Sequence, residues 1–284
     1  VEENHFGVRK RLLEYDDVMN SQREVIYSKR RHALFGDRLS VDISNMIYDV
    51  CEQIVHDFQD AKDYDGFRVE LLSVLAIEPP VNAKEFLSAN PDSLSQEIFS
   101  LAYQTYRVKM KLLAEKAFPV MKDVFENQPQ YEFIAIPVTD GRRTMQVVAQ
   151  LRKAYEQPER EIPLSIEKGV TLAHIDNAWK EHLREMDELK QSVQNATYEQ
   201  KDPLLIYKFE SFELFKKMIQ KNNKDITSFL LQGDLPIQVQ ANVQQTRARG
   251  LDNTRLKAER SDLLSQAHAR TQQQARTQPV RVEK

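Results

Sequence analysis

The sequence predicts a mainly α protein. Only 7 glycines punctuate its 284 residues, and 29% charged with 41% apolar residues suits long helices with charged outer faces. Apolar side chains recur in steps of three, four and seven over long stretches, and a single segment breaks into β-type runs around a tight-turn pair. The chain opens on Val1 inside a helical pattern, so it reads as a piece of a longer protein. Its one cysteine, Cys51, offers neither an intrachain disulfide nor a metal-ligand pair, and fits a reducing compartment. No run approaches the roughly 18 to 20 apolar residues of a membrane-spanning helix.

The first stripe is Val8, Leu12, Tyr15, Met19, Ile26 and Ala33, with Gln22 and Lys29 filling the two remaining seam positions. It predicts a helix of about 30 residues, roughly 45 Å long at 1.5 Å per residue, which Gly36 stops. Its other faces carry Arg9, Glu14, Asp16, Asp17 and Arg23 among other charges, suited to solvent or to a neighbouring domain. Asp16 and Asp17 point about 100° apart on a helix and do not converge as an acid/base pair would.

A second helix fits Val41 to about Ala61, with Ile43, Ile47, Val50, Ile54 and Phe58 on one face and Ser40 placed to cap it. Asp65 and Gly66 break that pattern. After an apolar stretch from Phe67 to Ile77, Pro79 and Pro80 mark a turn, and Asn82 with Glu85 signals a capped helix. Ser93 with Gln96 repeats the signal and opens a helix carrying Ile98, Leu101, Val108 and Leu112, which bends near Pro119.

Residues 131–151 change character. Tyr131 to Val138 and Thr144 to Leu151 are β-rich and flank Asp140-Gly141, which predicts a two-stranded hairpin. Pro137 confines the first strand to an edge or a bulge, and the hairpin must lean on helices to be stable. From about Ser165 a helix resumes, with Leu172, Ile175, Trp179, Leu183, Met186, Leu189 and Val193 on one face. Asp202-Pro203 pairs a capping side chain with proline at the first helical position. It starts a helix with Leu205, Phe209, Phe212, Phe215 and Ile219 on its face, ending at Gly233. The two form an antiparallel prong roughly 40 Å long. Beyond it, residues 238–284 hold nine Lys/Arg against four Asp/Glu, a surplus of five that leaves −8 on the rest of a chain whose total is −3. Nine glutamines and few large apolar residues make this a disordered basic tail.

Several chemistries are excluded. The glycines sit at 7, 36, 66, 141, 169, 233 and 250, no two closer than 17 residues, so neither a P-loop nor a GxGxxG turn can be written. His174 and His182 lie about 12 Å apart along a helix and cannot share one zinc; with Glu181 they lack the i, i+4 ligand spacing of a helical zinc motif. No serine nucleophile elbow occurs. The catalytic, cofactor-binding and metal residues expected in this chain are therefore none. Tyr198 is the single aromatic residue of the polar stretch 194–201, so an interaction role and an ordinary loop role stay equally open for it.

Two stretches carry a family resemblance. Arg9 to Arg30, RKRLLEYDDVMNSQREVIYSKR, resembles the start of the long scaffold helix of the SecA family, with its pattern LLEYDDV-x-N-x-QR-x-x-IY. WKEHLREMDELKQ (179–191), then YEQKDP (198–203) and YKFESF (207–212), resemble that family's two-helix finger. The resemblance implies residues 1–36 as the first scaffold helix, 37–130 as a helical wing, and 131–151 as an inserted hairpin that departs from the family pattern. It assigns 152–235 to a linker and finger, and 236–284 to a flexible tail. At the finger tip, Ala196 and Thr197 stand where the family often has a basic residue and glycine. The family's cysteine-rich zinc segment is not visible.

The resemblance further implies a scaffold and finger portion of an ATP-driven motor that pushes preproteins through the Sec channel, regulating a nucleotide site that lies upstream. ATP and Mg would belong to the parent protein and no cofactor to this chain. Tyr198, Gln200 and Lys201 would meet the polypeptide and channel, while Arg9, Glu14, Asp16, Asp17 and Arg23 would face the motor domains. Expected partners are the upstream motor and preprotein-binding domains, the Sec membrane channel, unfolded preprotein, anionic phospholipid and a second copy, without nucleic acid. Expected placement is cytoplasmic, peripheral to the inner face of the bacterial plasma membrane. A free-standing helical interaction scaffold is the alternative.

Overall fold

A computed structural model describes residues 2–128, 130–193 and 202–236. Its first element, α1 (Glu2–Phe35), is 34 residues long, about 50 Å at helical rise. Gly36, at φ 81°, takes the left-handed conformation that ends many helices, its N–H donating to the His32 carbonyl at 2.8 Å. The chain then enters α2 (Leu39–Ala61) so quickly that Ser40, expected to cap it, lies inside the helix. The cap position is Arg38, without a side-chain bond, and the Val41 and Asp42 amides both reach the Arg38 carbonyl. His32 Nδ1 lies 2.8 Å from Asp42, joining the last turn of α1 to the first turn of α2.

Local side-chain chemistry starts the next elements, and of these starts only that at Asn82 was expected. Asp63 caps α3 (Tyr64–Glu70), which runs into a π turn over Leu71–Leu75. Asn82 and Glu85 form a reciprocal capping box on α4 (Ala83–Ser88). The long α5 (Pro91–Asn127) is opened not by Ser93 but by Asn90, whose side chain accepts from the Asp92 and Ser93 amides, with Pro91 at the first helical position. It continues through Pro119.

Strands β1 (Phe133–Thr139) and β2 (Thr144–Gln150) pair antiparallel, with Pro137 opposite Gln146 and Thr139 opposite Thr144. Asp140 accepts from the Arg142 and Arg143 amides at 2.8 and 2.6 Å, which fixes the turn and holds the Asp140 carboxyl below its ordinary range. The free edge of β1 is covered where Thr139 and Asp234 exchange backbone bonds of 2.8 and 2.7 Å. The Asp234 carboxylate also accepts from Lys116 at 2.9 Å, so the end of the last helix, β1 and α5 meet at one residue. Ile134, Ile136 and Val138 alternate inward. Val147 seats on Gly169, where an added Cβ would come within 2.8 Å of a Val147 methyl. The hairpin therefore rests on helix, as its marginal size requires.

The remaining helices are α6 (Leu151–Glu156), α7 (Pro158–Ser192) and α8 (Pro203–Gln232). α7 begins seven residues before the expected Ser165. Pro158 serves as its first helical residue, and Pro163 is buried inside it. Asp202 caps α8 and Gly233 follows its last residue. α7 and α8 run antiparallel, with His174 against Phe229 at one end and Met186 near Tyr207 at the other.

The expected faces of α5 and α8 are corrected in part: Ile98 is buried, and Phe215 and Ile219 pack against the core as expected. Leu101, Val108 and Leu112 are exposed, while α5 buries Leu94, Ile98, Ala102, Tyr106, Met110, Leu113 and Ala117. Leu205, Phe209 and Phe212 of α8 are likewise exposed, and Tyr207, Ser211, Met218 and Ile226 face inward. Alanines on the inner face of α5 let helix backbones approach closely, so small residues rather than the largest ones mark the core. Tyr106, on that face, donates its hydroxyl to Glu167 of α7 at 2.5 Å, and burial raises the Glu167 carboxyl above its ordinary value.

Candidate functional site: the joint between the long helix and the two arms

Helix α1 lies antiparallel to α7 and parallel to α8, and its seam residues meet both. Ile26 and Ala33 are buried, Tyr15 and Met19 half-buried, and Gln22, the polar residue at a seam position, is 7% exposed. Three ties of different chemistry occur along it, separated by two turns each. At the lower end, Tyr15 packs on Tyr207 of α8 with ring centroids 4.7 Å apart, and Lys190 of α7 stands over the Tyr15 ring at 5.6 Å. Burial, with Asp16 and Asp187 nearby, pushes the Tyr207 hydroxyl up to about 12.

The middle tie is a buried polar network. Gln22 Nε2 donates to the Ser211 carbonyl of α8 at 3.1 Å, and a carbonyl can only accept, which fixes the amide orientation. Gln22 Oε1 is thus the acceptor toward His182 Nε2, 2.8 Å away on α7. His182 must carry its proton on Nε2, leaving Nδ1 bare, without a hydrogen-bond partner and 4.0 Å from the Glu185 carboxylate. The imidazole is fully buried and burial holds it well below its ordinary value, at about 4, so it is neutral near neutral pH. Trp179 and Phe215 flank the ring, each with its centroid 5.6 Å away.

The upper tie is a two-pronged ion pair. Arg30 Nε and Nη2 reach the two oxygens of Asp176 at 2.8 and 3.2 Å, with about half of each side chain exposed. Such bidentate geometry fixes orientation more than it adds stability at a surface.

Of the residues expected to act, Tyr198, Gln200 and Lys201 lie outside the described residues; they fall in the stretch connecting α7 to α8. Arg9, Asp16, Asp17 and Arg23 are exposed on α1 and Glu14 is half-buried. Arg23 donates to Asn20 at 3.2 Å. The fold does not gather these five into one cluster. Gln22 and His182 form the joint instead. The sequence signal for Gln22 was an uncharged polar side chain in a seam that is apolar apart from it and Lys29; His182 offered only the weighed and rejected metal reading.

A family model described as SecA Wing and Scaffold domain matches residues 1–234. The chain belongs to the SecA wing and scaffold family. Relatives bearing the name protein translocase subunit SecA include that of Christiangramia forsetii, 54% identical over 237 residues. Those of Porphyromonas gingivalis and Bacteroides fragilis are 50% and 44% identical. The three alignments cover 83%, 84% and 100% of this chain but 21%, 22% and 27% of the relatives, so the chain spans about a fifth to a quarter of their length. In this SecA-family chain, no described helix is long and apolar enough to cross a membrane.

Proposed function

We propose that this chain is the mechanical portion of an ATP-driven protein translocation motor, carrying displacement from upstream motor domains to a polypeptide at the tip of the two arms. The observation that carries the reading is the joint: a helix of about 50 Å tied to both arms by an aromatic pair, a buried amide–imidazole bond and a bidentate ion pair. A rod held at three points passes on rotation, where a loop would absorb it. Leu205, Phe209 and Phe212 recur along α8 with 54 to 67% of each exposed, a surface suited to further protein. Arg9, Glu14, Asp16, Asp17 and Arg23 are the proposed contacts to motor domains that bind ATP and Mg. Tyr198, Gln200 and Lys201 are the proposed contacts to preprotein and the Sec channel, at the inner face of the bacterial membrane.

The test uses the full-length protein. Gln22→Ala should leave ATP hydrolysis running while preprotein moved per ATP falls several-fold; an unchanged ratio overturns the coupling role. A cysteine replacing Tyr198 should crosslink to translocating polypeptide or channel during turnover, and no adduct to either would remove the assignment of the tip.

A further inference from the structure

A second constellation lies in α2 and α5, away from the joint. Glu52 and His56 are four residues apart on α2, so they share one face a single turn apart. Asp92 is the second residue of α5. One ligand atom from each of the three lies within 4.8 Å of the other two. Asp92 is not needed to start its helix, because the Asn90 side chain already accepts from the Asp92 and Ser93 amides at 2.9 and 3.1 Å. Among the described residues no lysine or arginine forms an ion pair with Glu52 or Asp92.

The adjoining groove between α2 and α8 has the same character. About 530 Å³ in volume, it is lined by Asp49, Glu52, His56 and Asp57 from α2 and by Asn223 from α8, with no lysine or arginine in its wall. Asn223 is 4% exposed and donates its Nδ2 to Asp49 at 3.2 Å, while its Oδ1 accepts no hydrogen bond. A buried acceptor without a donor stands here; Lys29 acts on Asp49, whereas Glu52 and Asp57 form no ion pair among the described residues.

We infer that Glu52, His56 and Asp92 form a divalent metal site that staples α2 to the start of α5. The donor set is one imidazole nitrogen and two carboxylate oxygens. That set suits zinc and its first-row neighbours; magnesium and calcium take oxygen ligands. Metal–ligand bonds of about 2.0 to 2.2 Å place donor atoms about 3.3 Å apart in a tetrahedral site. His56 and Asp92 are exposed and Glu52 half-buried, so rotation of side chains closes a gap of up to about 1.5 Å. Water completes the shell on the open side. The metal would hold the first turn of α5 against the middle of α2, one step beyond the bonds that Gln59 of α2 donates to the Phe86 and Ala89 carbonyls.

The experiment is equilibrium dialysis of the full chain against Zn2+ with bound metal counted, alongside thermal unfolding with and without the ion. The expected result is one zinc per chain lost in both His56→Ala and Asp92→Asn, and kept in Glu97→Gln, a neighbouring exposed acid. Saturating zinc should raise Tm by about 5 °C or more, and an equal concentration of Mg2+ should not. Zinc content unchanged in either variant, no bound zinc, or an equal Tm rise with Mg2+ overturns the inference. X-ray absorption of the zinc-loaded wild type gives an independent reading: one imidazole in the shell supports the site, and none, or two or more, overturns it.

Discussion

Removing the Gln22–His182 bond tests the joint most directly. Gln22→Leu leaves the His182 Nε2–H, in a fully buried ring, with no acceptor. Losing the bond costs about 1 kcal/mol net and stranding a buried donor about 1 to 3 more, so a loss of about 2 to 4 kcal/mol is expected. The Ser211 carbonyl adds little, since a carbonyl oxygen with two lone pairs can keep its helical partner. His182→Leu strands Gln22 Oε1 instead and gives up ring contacts with Trp179 and Phe215, for about 2 to 4 kcal/mol. In the double variant neither polar atom is stranded, so its loss should fall short of the sum by about 1.5 to 2 kcal/mol. Urea unfolding at pH 7.5 measures all four proteins. The chain has one tryptophan, Trp179, which sits beside the joint, so its fluorescence reports this site while circular dichroism reports the whole; coincident curves establish two-state behaviour. Losses that add to within about 0.3 kcal/mol would show that the two side chains do not interact and would remove the argument for a buried tie.

The other predictions concern pH and packing. Because burial lowers His182 to about 4 from 6.5, the unfolded chain takes up its proton first. The stability it contributes is full above pH 6.5 and declines as pH falls toward 4, by up to about 1.4 kcal/mol per pH unit. His182→Leu should be flatter across that window when Tm is followed from pH 8 to 4, and identical slopes would refute the burial account. Tyr106→Phe removes the hydroxyl donor to Glu167 and should destabilise by about 1.5 to 3 kcal/mol at pH 8. It should cost less as pH falls, because the buried carboxyl, raised by burial, takes up a proton more readily than an exposed one; a pH-independent loss would contradict this. Gly169→Ala should lower Tm despite alanine's better helix propensity, because the new methyl meets Val147. Val147→Ala should restore it, and a Gly169→Ala protein stabler than wild type would show that the hairpin yields.

Much of the fold was readable where one residue's chemistry decides one event. Gly36, the Asn82–Glu85 box, Asp140-Gly141, Asp202-Pro203 and Gly233 each set a start, stop or turn within a few residues, and each does so in the structure. The inner faces of α5 and α8 were not readable, because they depend on how near neighbouring helices come. A stripe chosen for its largest side chains picked Val108 and Phe209, which are exposed, over Ala102 and Ser211, which are buried. Asn223 is buried on α8 because Asp49 of α2 meets its amide, a partner 174 residues away. The joint was half readable: Gln22 stood out in its seam, but 160 residues separate it from His182.

The three ties on α1 differ in kind, and that difference sets the register. Tyr15 matches a ring, Gln22 an imidazole and a carbonyl, and Arg30 a carboxylate; they are seven and eight residues apart. Sliding α1 by one turn, about 5.4 Å, breaks all three at once. Sliding it by two turns brings each residue near the wrong lock: glutamine to rings, arginine to a neutral buried imidazole. Unlike a repeating leucine seam, which can be satisfied again one heptad along, this interface works as a key with three unequal teeth, and only one insertion depth fits.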